Sequence, residues 1–173
     1  QTVVGATSGD DTISTDLLKD FLVDALAGDD SIQVQDTAES FVVRGMDGDD
    51  TITISGDASG NTKLNGRAGA DVFDLQGAFS SSSVYGGKGA DSIKFDRNVT
   101  GALVSGDTGN DTITLEGKVL GGTLIDGGSD DDSIVLNDRI ESSTVSGGAA
   151  QDVIDINDNS VDALIKLGSD DDT

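Results

Sequence analysis

The sequence predicts an all-β fold in which the chain winds into a parallel β-solenoid of about eight coils, with about 20 residues in each coil. Three observations predict this fold. A glycine-rich motif that ends in aspartate recurs at nearly constant intervals, apolar and polar residues alternate beside each copy, and the acidic residues recur at fixed offsets from glycine, isoleucine and leucine. A length of 173 residues fits one domain, so we expect residues 1–173 to form a single solenoid.

One aspartate marks the same position in every repeat. The copies read, for example, GMDGDDTITI at Asp50 and GGKGADSIKF at Asp91. Successive marker residues are separated by 19, 20, 21, 20, 20, 21, 20 and 20 residues. Because so short a unit cannot bury its own apolar face, each unit must stack on the next one. The markers, here called the ladder aspartates, are Asp11, Asp30, Asp50, Asp71, Asp91, Asp111, Asp132, Asp152 and Asp172.

Two stretches of each repeat alternate between apolar and polar residues, which is the period of a half-buried strand. We therefore predict two short strands per coil, one directly after the ladder aspartate and one before the glycine-rich turn, with a looser polar connection between units. The first strand places Ile13, Ile32, Ile52, Phe73, Ile93, Ile113, Ile134 and Ile154 toward the core. The second places Val4, Val23, Val43, Leu64, Val84, Val104, Ile125, Val145 and Ile165 there.

The stretch 16–27, DLLKDFLVDALA, fits two structures. Gly28 is placed as the C-terminal stop of a helix whose apolar residues at helical spacing are Leu17, Leu18, Phe21, Leu22, Ala25 and Leu26. The repeat alignment instead makes this stretch a strand. An interval of 19 residues leaves little room for a helix of three turns inside a coil, which favours the strand.

The charge of the chain restricts its partners. There are 33 acidic residues, 30 of them Asp, against 10 Lys and Arg, for a net charge of −23. This excess argues against nucleic-acid binding, which depends on basic side chains. The absence of His and Cys removes the ligands that zinc and copper prefer and leaves oxygen donors suited to calcium or magnesium. No apolar run approaches the length of a membrane span, and the regular placement of the acids argues against disorder.

Stacking places the ladder aspartates along one edge, about 5 Å apart, where ionised carboxylates repel one another. Cations between coils would reverse this effect, and glycine turns can direct backbone carbonyls to the same place. We therefore predict calcium ions, about one per coil interval, whose binding is coupled to folding. The turn backbone is expected to contribute near Gly9, Gly28, Gly48, Gly69, Gly87, Gly89, Gly109, Gly128 and Gly148.

The segment GGKGADSIK at residues 86–94 resembles the nonapeptide of the RTX (repeats-in-toxin) family, and related copies cover nearly the whole chain. The resemblance implies a right-handed parallel β-roll in which turn carbonyls and the motif aspartate hold calcium, and which bacteria export by a type I system. It assigns the ligand role to the ladder aspartates, with Asp172 at the open end.

The chain departs from the RTX pattern in three respects. Family coils commonly have two such turns, whereas this repeat has one, so we expect a single row of ions. The second glycine of the motif is replaced by Asp130, Ala150 and Asp170, which makes those turns the weakest candidates for calcium sites. The extra acids directly before the ladder are either additional ligands or solvent-exposed; they are Asp10, Asp29, Asp49, Asp131 and Asp171.

These patterns predict a calcium-binding structural module of a secreted bacterial cell-surface protein, in a surface layer or an extracellular fibre, whose partners are calcium and copies of itself, joined laterally or end to end. The alternative is the calcium-triggered folding and secretion domain of a larger exoenzyme, toxin or adhesin. No nucleophile-base arrangement indicates an enzyme. Ice binding is disfavoured because the outward residues after the ladder do not form a flat threonine array; they are Thr12, Ser31, Thr51, Val72, Ser92, Thr112, Ser133 and Val153.

Overall fold

A computed structural model describes residues 2–16 and 18–168, and the part of the chain that it describes is a parallel β-solenoid with three sheets and no helix. This architecture confirms the predicted all-β solenoid with about 20 residues per coil. Each coil contributes one strand to sheets A, B and C in turn. Every strand pairs in parallel with its counterparts one coil away, so that equivalent residues of successive repeats stack directly on one another.

Sheet A precedes the glycine-rich turn in each coil. It contains nine strands: β1 (Thr2–Gly5), β4 (Phe21–Asp24), β7 (Val42–Asp47), β10 (Lys63–Ala68), β13 (Ser83–Lys88), β16 (Leu103–Thr108), β19 (Leu124–Ser129), β22 (Thr144–Ala149) and β25 (Leu164–Gly168). We number coils 1 to 8 by the sheet A strands β1 to β22. Stretch 16–27 is therefore not helical where it is described, because Phe21–Asp24 pairs with both β1 and β7.

Sheet B follows the ladder aspartate in each coil. Its eight strands are β2 (Thr12–Thr15), β5 (Ser31–Val34), β8 (Thr51–Ile54), β11 (Val72–Leu75), β14 (Ser92–Phe95), β17 (Thr112–Leu115), β20 (Ser133–Leu136) and β23 (Val153–Ile156). The predicted register holds along this sheet, since Ile52 pairs with Phe73 and Ile93 pairs with Ile113.

Sheet C lies in the connection that the sequence pattern left without a strand, so the expectation of two strands per coil is wrong. Its eight two-residue strands are β3 (Leu18–Lys19), β6 (Ala38–Glu39), β9 (Ala58–Ser59), β12 (Phe79–Ser80), β15 (Val99–Thr100), β18 (Val119–Leu120), β21 (Ile140–Glu141) and β24 (Ser160–Val161). In most coils the connection carries one inward apolar residue, such as Phe79 or Val99, which is too short a segment to show an alternating pattern.

The interior is a narrow apolar column built from the inward residues of the three sheets. The predicted columns of sheets A and B are buried from coil 2 to coil 7, with Val43, Ile52 and Leu64 fully inaccessible to solvent. Sheet C adds Phe79, whose ring meets that of Phe95 edge to face with 5.3 Å between the centroids. In coil 8, Ile154 and Ile156 are only partly buried. No helix in the described part is long and apolar enough to cross a membrane.

Candidate metal centre

The ladder aspartates lie inside the corner where sheet A turns into sheet B. Their carboxylates are buried beneath the turn in coils 2 to 8, which corrects the expectation of a ladder on the edge of the solenoid; the buried members are Asp30, Asp50, Asp71, Asp91, Asp111, Asp132 and Asp152. Asp11, in coil 1, is only partly buried. Asp172 lies outside the described residues.

One oxygen of each buried ladder carboxylate is held by the backbone of the preceding coil. The N–H of Asp71, for example, donates to Oδ1 of Asp91 over 2.8 Å, and the N–H of Asp91 donates to Oδ1 of Asp111 over 2.7 Å. The same bond links each successive pair from Asp11 to Asp152, at 2.7 to 3.0 Å. The ladder is therefore a continuous hydrogen-bonded column along the axis of the solenoid.

The second oxygen has no such support in the middle of the column. Oδ2 is buried without a hydrogen-bond partner in Asp30, Asp50, Asp71, Asp91, Asp111 and Asp132. Asp11 differs, because its Oδ2 accepts hydrogen bonds from the backbone N–H and the hydroxyl of Thr7 at 2.7 and 2.8 Å. A buried carboxylate oxygen without a donor is costly unless a cation or a proton compensates it.

A column of glycines in sheet A makes room for these oxygens. A Cβ added to Gly86 would lie 2.3 Å from Oδ2 of Asp91 and 2.6 Å from the carbonyl oxygen of Gly106, one coil further on. We call this space beside a glycine, filled by Oδ2 and a carbonyl oxygen, the cradle. It recurs five residues before each ladder aspartate of coils 3 to 8, at Gly45, Gly66, Gly86, Gly106, Gly127 and Gly147. The predicted glycines do not include this column, although its fixed five-residue offset from the ladder is visible in the sequence.

An unpartnered carboxylate oxygen and a carbonyl oxygen of the next coil therefore lie against the same glycine. Carboxylate and carbonyl oxygens are the donors that a hard cation such as calcium prefers. No cluster of three or more acidic side chains that could hold a metal occurs among residues 2–16 and 18–168. At most two of the described acidic side chains could therefore bind one ion, and the remaining protein ligands would be backbone carbonyls.

The turn above the ladder has the same backbone path in coils 2 to 8. Residues four and two positions before the ladder aspartate both have positive φ, as in Gly87 and Gly89, where φ is 121°. The coils in which glycine is replaced keep this path, with φ of 76° at Asp130 and 86° at Ala150. The C-terminal turns that the sequence made the weakest candidates therefore retain the turn geometry, while position 170 lies outside the described residues. Gly9 does not have positive φ.

The extra acids before the ladder are exposed, and they bond to the backbone of the following coil. The N–H of Asp49 donates to Oδ1 of Asp29 over 3.0 Å, and the N–H of Ala70 donates to Oδ1 of Asp49 over 2.7 Å. Asp10 and Asp131 accept the equivalent bonds from Asp29 and Gln151. These carboxylates are not directed into the buried cradle, and Asp171 lies outside the described residues.

Burial dominates the electrostatics of the ladder in the ion-free chain. It raises the pKa of Asp71, Asp91 and Asp132 to about 7 and that of Asp50 and Asp111 to about 6. The backbone N–H bonded to Oδ1 lowers each pKa in part, whereas neighbouring carboxylates raise it. Burial also raises the pKa of Asp30. The ion-free column thus holds protons more readily than free aspartates do.

Comparison with known proteins supports the fold. No family model and no curated protein matches the chain. The chain is similar to a solved structure described as a hyperactive, Ca²⁺-dependent, beta-helical antifreeze protein from an Antarctic bacterium, with a TM-score of 0.73 and 24% sequence identity. The match covers 97% of this chain and 58% of the other, so this chain spans less than two thirds of that protein. The RTX relationship rests on the motif resemblance alone.

Proposed function

We propose that this chain is a calcium-binding structural module, without catalytic activity, that folds when calcium occupies the ladder. The observation that carries the proposal is that an unpartnered Oδ2 and a carbonyl oxygen of the next coil repeatedly lie against the same glycine, as those of Asp91 and Gly106 do at Gly86. A divalent ion there would join two coils and remove the repulsion between the oxygens. Metal binding and coil stacking would then be a single equilibrium.

Calcium suits this site better than magnesium. Calcium accepts irregular coordination by carboxylate and carbonyl oxygens, whereas magnesium demands near-ideal octahedral geometry and gives up its waters reluctantly. The ladder oxygens are buried, so an ion bound to them would have to give up most of its water. The structural neighbour is itself described as Ca²⁺-dependent.

We further propose that the module belongs to a secreted bacterial cell-surface protein of a surface layer or fibre, in which copies assemble. The RTX-like motif supports export by a type I system, and extracellular calcium modules commonly bind at roughly 0.1 to 1 mM. The alternative remains a folding and secretion domain of a larger exoenzyme, toxin or adhesin. The complete reading frame distinguishes the two, since the alternative requires an additional catalytic or receptor-binding domain.

We do not propose antifreeze activity for this chain, although the structural neighbour is described as an antifreeze protein. On the outward face of sheet B, Thr51 and Thr53 are separated from Thr112 and Thr114 by two coils that place Asp74 and Lys94 at the second outward position. Charged side chains thus interrupt the flat, uniform face that ice binding requires. Thermal hysteresis in the presence of calcium would show that this interpretation of the face is wrong.

Circular dichroism and calorimetry test the calcium proposal together. At pH 8 the calcium-free chain should lack β-signal and regain it at roughly 0.1 to 1 mM calcium, with about one ion bound per coil. Magnesium at equal concentration is the matched control and should restore much less signal. A chain that keeps its full β-signal after exhaustive chelation at pH 8 would contradict the coupling of calcium to folding.

A further inference from the structure

Exposed charges are segregated along the corner that covers the ladder. We call the outward side of residues 26–29, 46–49, 67–70 and 87–90, in coils 2 to 5, the turn edge. Asp29 and Asp49 carry negative charge in coils 2 and 3, and Arg67 and Lys88 carry positive charge in coils 4 and 5. Asp47 adds a further exposed carboxylate in coil 3. The turn edge is therefore acidic in its first half and basic in its second half.

The two basic residues of the turn edge make no ion pair within the described part of the chain. Some other cations of the chain do so, since Arg44 pairs with Asp24 at 3.3 Å and Arg139 pairs with Glu141 at 3.2 Å. Arg67 and Lys88 are exposed, and the backbone register places them in adjacent coils, with Arg67 beside Gly87. Two unpaired cations thus lie side by side on a chain whose net charge is −23.

The charge pattern changes sign about a point midway between coils 3 and 4. A second copy, related by a two-fold axis perpendicular to the solenoid at that point, would run antiparallel and place coil 2 opposite coil 5 and coil 3 opposite coil 4. We propose that the turn edge is a lateral interface between two such copies, in which Asp29 faces Lys88 and Asp49 faces Arg67. The symmetry repeats both contacts, which is the usual form of a homodimer interface.

A second copy is the partner whose charges complement those of the turn edge. Asp29 and Asp49 hold equivalent positions in coils about 4.8 Å apart, and Lys88 lies beside Ala68, one residue past the position of Arg67. The long side chains of Arg and Lys can span the width of the turn to reach a carboxylate on the facing copy.

The contact is confined to coils 2 to 5. Extending the overlap places Asp107 of coil 6 opposite Asp10 of coil 1, which is a like-charge pair. The inference rests on the proposed function, because calcium must first neutralise the ladder beneath the turn. Exposed ion pairs are weak and are screened over about 8 Å at physiological salt. We therefore expect a reversible, salt-sensitive dimer.

Sedimentation equilibrium with saturating calcium tests the interface. At low salt and high protein concentration, the weight-average mass should rise from 17.5 kDa toward twice that value, and it should return toward the monomer on addition of 0.5 M NaCl. The variant R67D/K88D should stay monomeric under the low-salt conditions. The control R97D/K118D makes the same change in net charge at two exposed cations on the corner between sheets B and C, and it should still dimerise.

A mixing experiment identifies the facing residues. D29K/D49K should also be monomeric alone, and an equimolar mixture with R67D/K88D should regain the dimer mass because every facing pair is again opposite in charge. The interface is wrong if the wild type remains monomeric, if R67D/K88D dimerises, or if the control loses the dimer as well.

Circular dichroism and calcium stoichiometry of each variant distinguish a failure of the proposed interface from a failure of the calcium proposal. An unaltered calcium response without association would refute the interface alone, whereas a wild type that folds without calcium would refute the proposed function. Should D29K/D49K fail to fold, the comparison of R67D/K88D with R97D/K118D still decides the question.

Discussion

The backbone N–H of Asp71 donates a 2.8 Å hydrogen bond to Oδ1 of Asp91 in the next coil. The other oxygen of Asp91 is buried and unpartnered, beside the carbonyl oxygen of Gly106. The same carboxylate therefore stabilises coil stacking through one oxygen and opposes it through the other. The proposed calcium dependence rests on this division, because only the second oxygen lacks a partner.

Asp91→Asn should separate these two roles. The amide keeps an oxygen that can accept from Asp71 and places an NH₂ group where it can donate to the carbonyl of Gly106. We expect the calcium-free chain to gain about 1 kcal/mol of stability from the new hydrogen bond, while calcium bound at this coil is lost. The pH at which the calcium-free chain loses its β-signal measures the first effect and should rise in this variant, and calorimetric stoichiometry measures the second.

Two further variants serve as controls for Asp91→Asn. Asp131→Asn alters an exposed carboxylate outside the cradle and should leave the calcium stoichiometry unchanged. Asp91→Ala removes both oxygens, so it should lose the calcium bound at this coil and also destabilise the ion-free chain, which loses the hydrogen bond from Asp71. If Asp91→Asn binds as much calcium as the wild type, the ladder carboxylates are not the ligands.

The stability of the ion-free fold should fall as pH rises. Burial raises the pKa of Asp71, Asp91 and Asp132 to about 7, so between about pH 4 and pH 7 the folded chain binds more protons than the unfolded chain. The stabilising protons are present at pH 5 and are lost as pH rises through 6 to 7. Circular dichroism of protein freed of calcium by dialysis should therefore show more β-structure at pH 5 than at pH 8.

Calcium and protons should compete for the same oxygens. The midpoint of the calcium titration is expected at higher calcium concentration at pH 6 than at pH 8, because the ladder carboxylates must lose their protons to bind the ion. A midpoint that is independent of pH over this range would argue against calcium binding by these groups.

The inward glycine column should be intolerant of a single methyl group. Gly86→Ala would place a Cβ 2.3 Å from Oδ2 of Asp91 and 2.6 Å from the carbonyl oxygen of Gly106, so the strands must move apart. Overpacking of this kind costs about 1 to 3 kcal/mol, and we expect the calcium affinity to fall with it. Urea unfolding in saturating calcium and calorimetry measure the two effects.

Gly101→Ala is the matched control for the glycine column. Gly101 has a φ of 58°, and an added Cβ would meet only the carbonyl oxygen of Gly121 at 3.5 Å. This substitution should cost about 1 kcal/mol of left-handed backbone strain and leave calcium binding intact. Equal calcium affinity in Gly86→Ala and Gly101→Ala would show that the cradle does not form the site.

The sequence shows most of the fold because the repeat aligns equivalent residues. Ile93 and Val84 stand at constant offsets from the ladder, and alternation identifies the strands of sheets A and B. Sheet C could not be predicted in this way, because a single inward residue such as Val99 shows no alternation. The burial of Asp91 could not be predicted either, since a periodic aspartate fits an edge as well as an interior. Only the packing of Oδ2 of Asp91 against Gly86 shows that the interior has room for the carboxylate.

Ala150→Gly should stabilise the fold, because Ala150 has a φ of 86° in a turn where most other coils have glycine. Left-handed backbone strain costs a non-glycine residue about 1 to 2 kcal/mol in the folded state. Glycine makes the unfolded chain more flexible, which reduces the gain from the substitution by about 0.4 to 1 kcal/mol. The net gain of roughly 1 kcal/mol corresponds to a rise of about 2 to 4 °C in the Tm of a chain this size. Ala149→Gly, at the end of β22 and without positive φ, should instead lower the Tm, so a similar fall in both variants would mean that the turn at Ala150 is not strained.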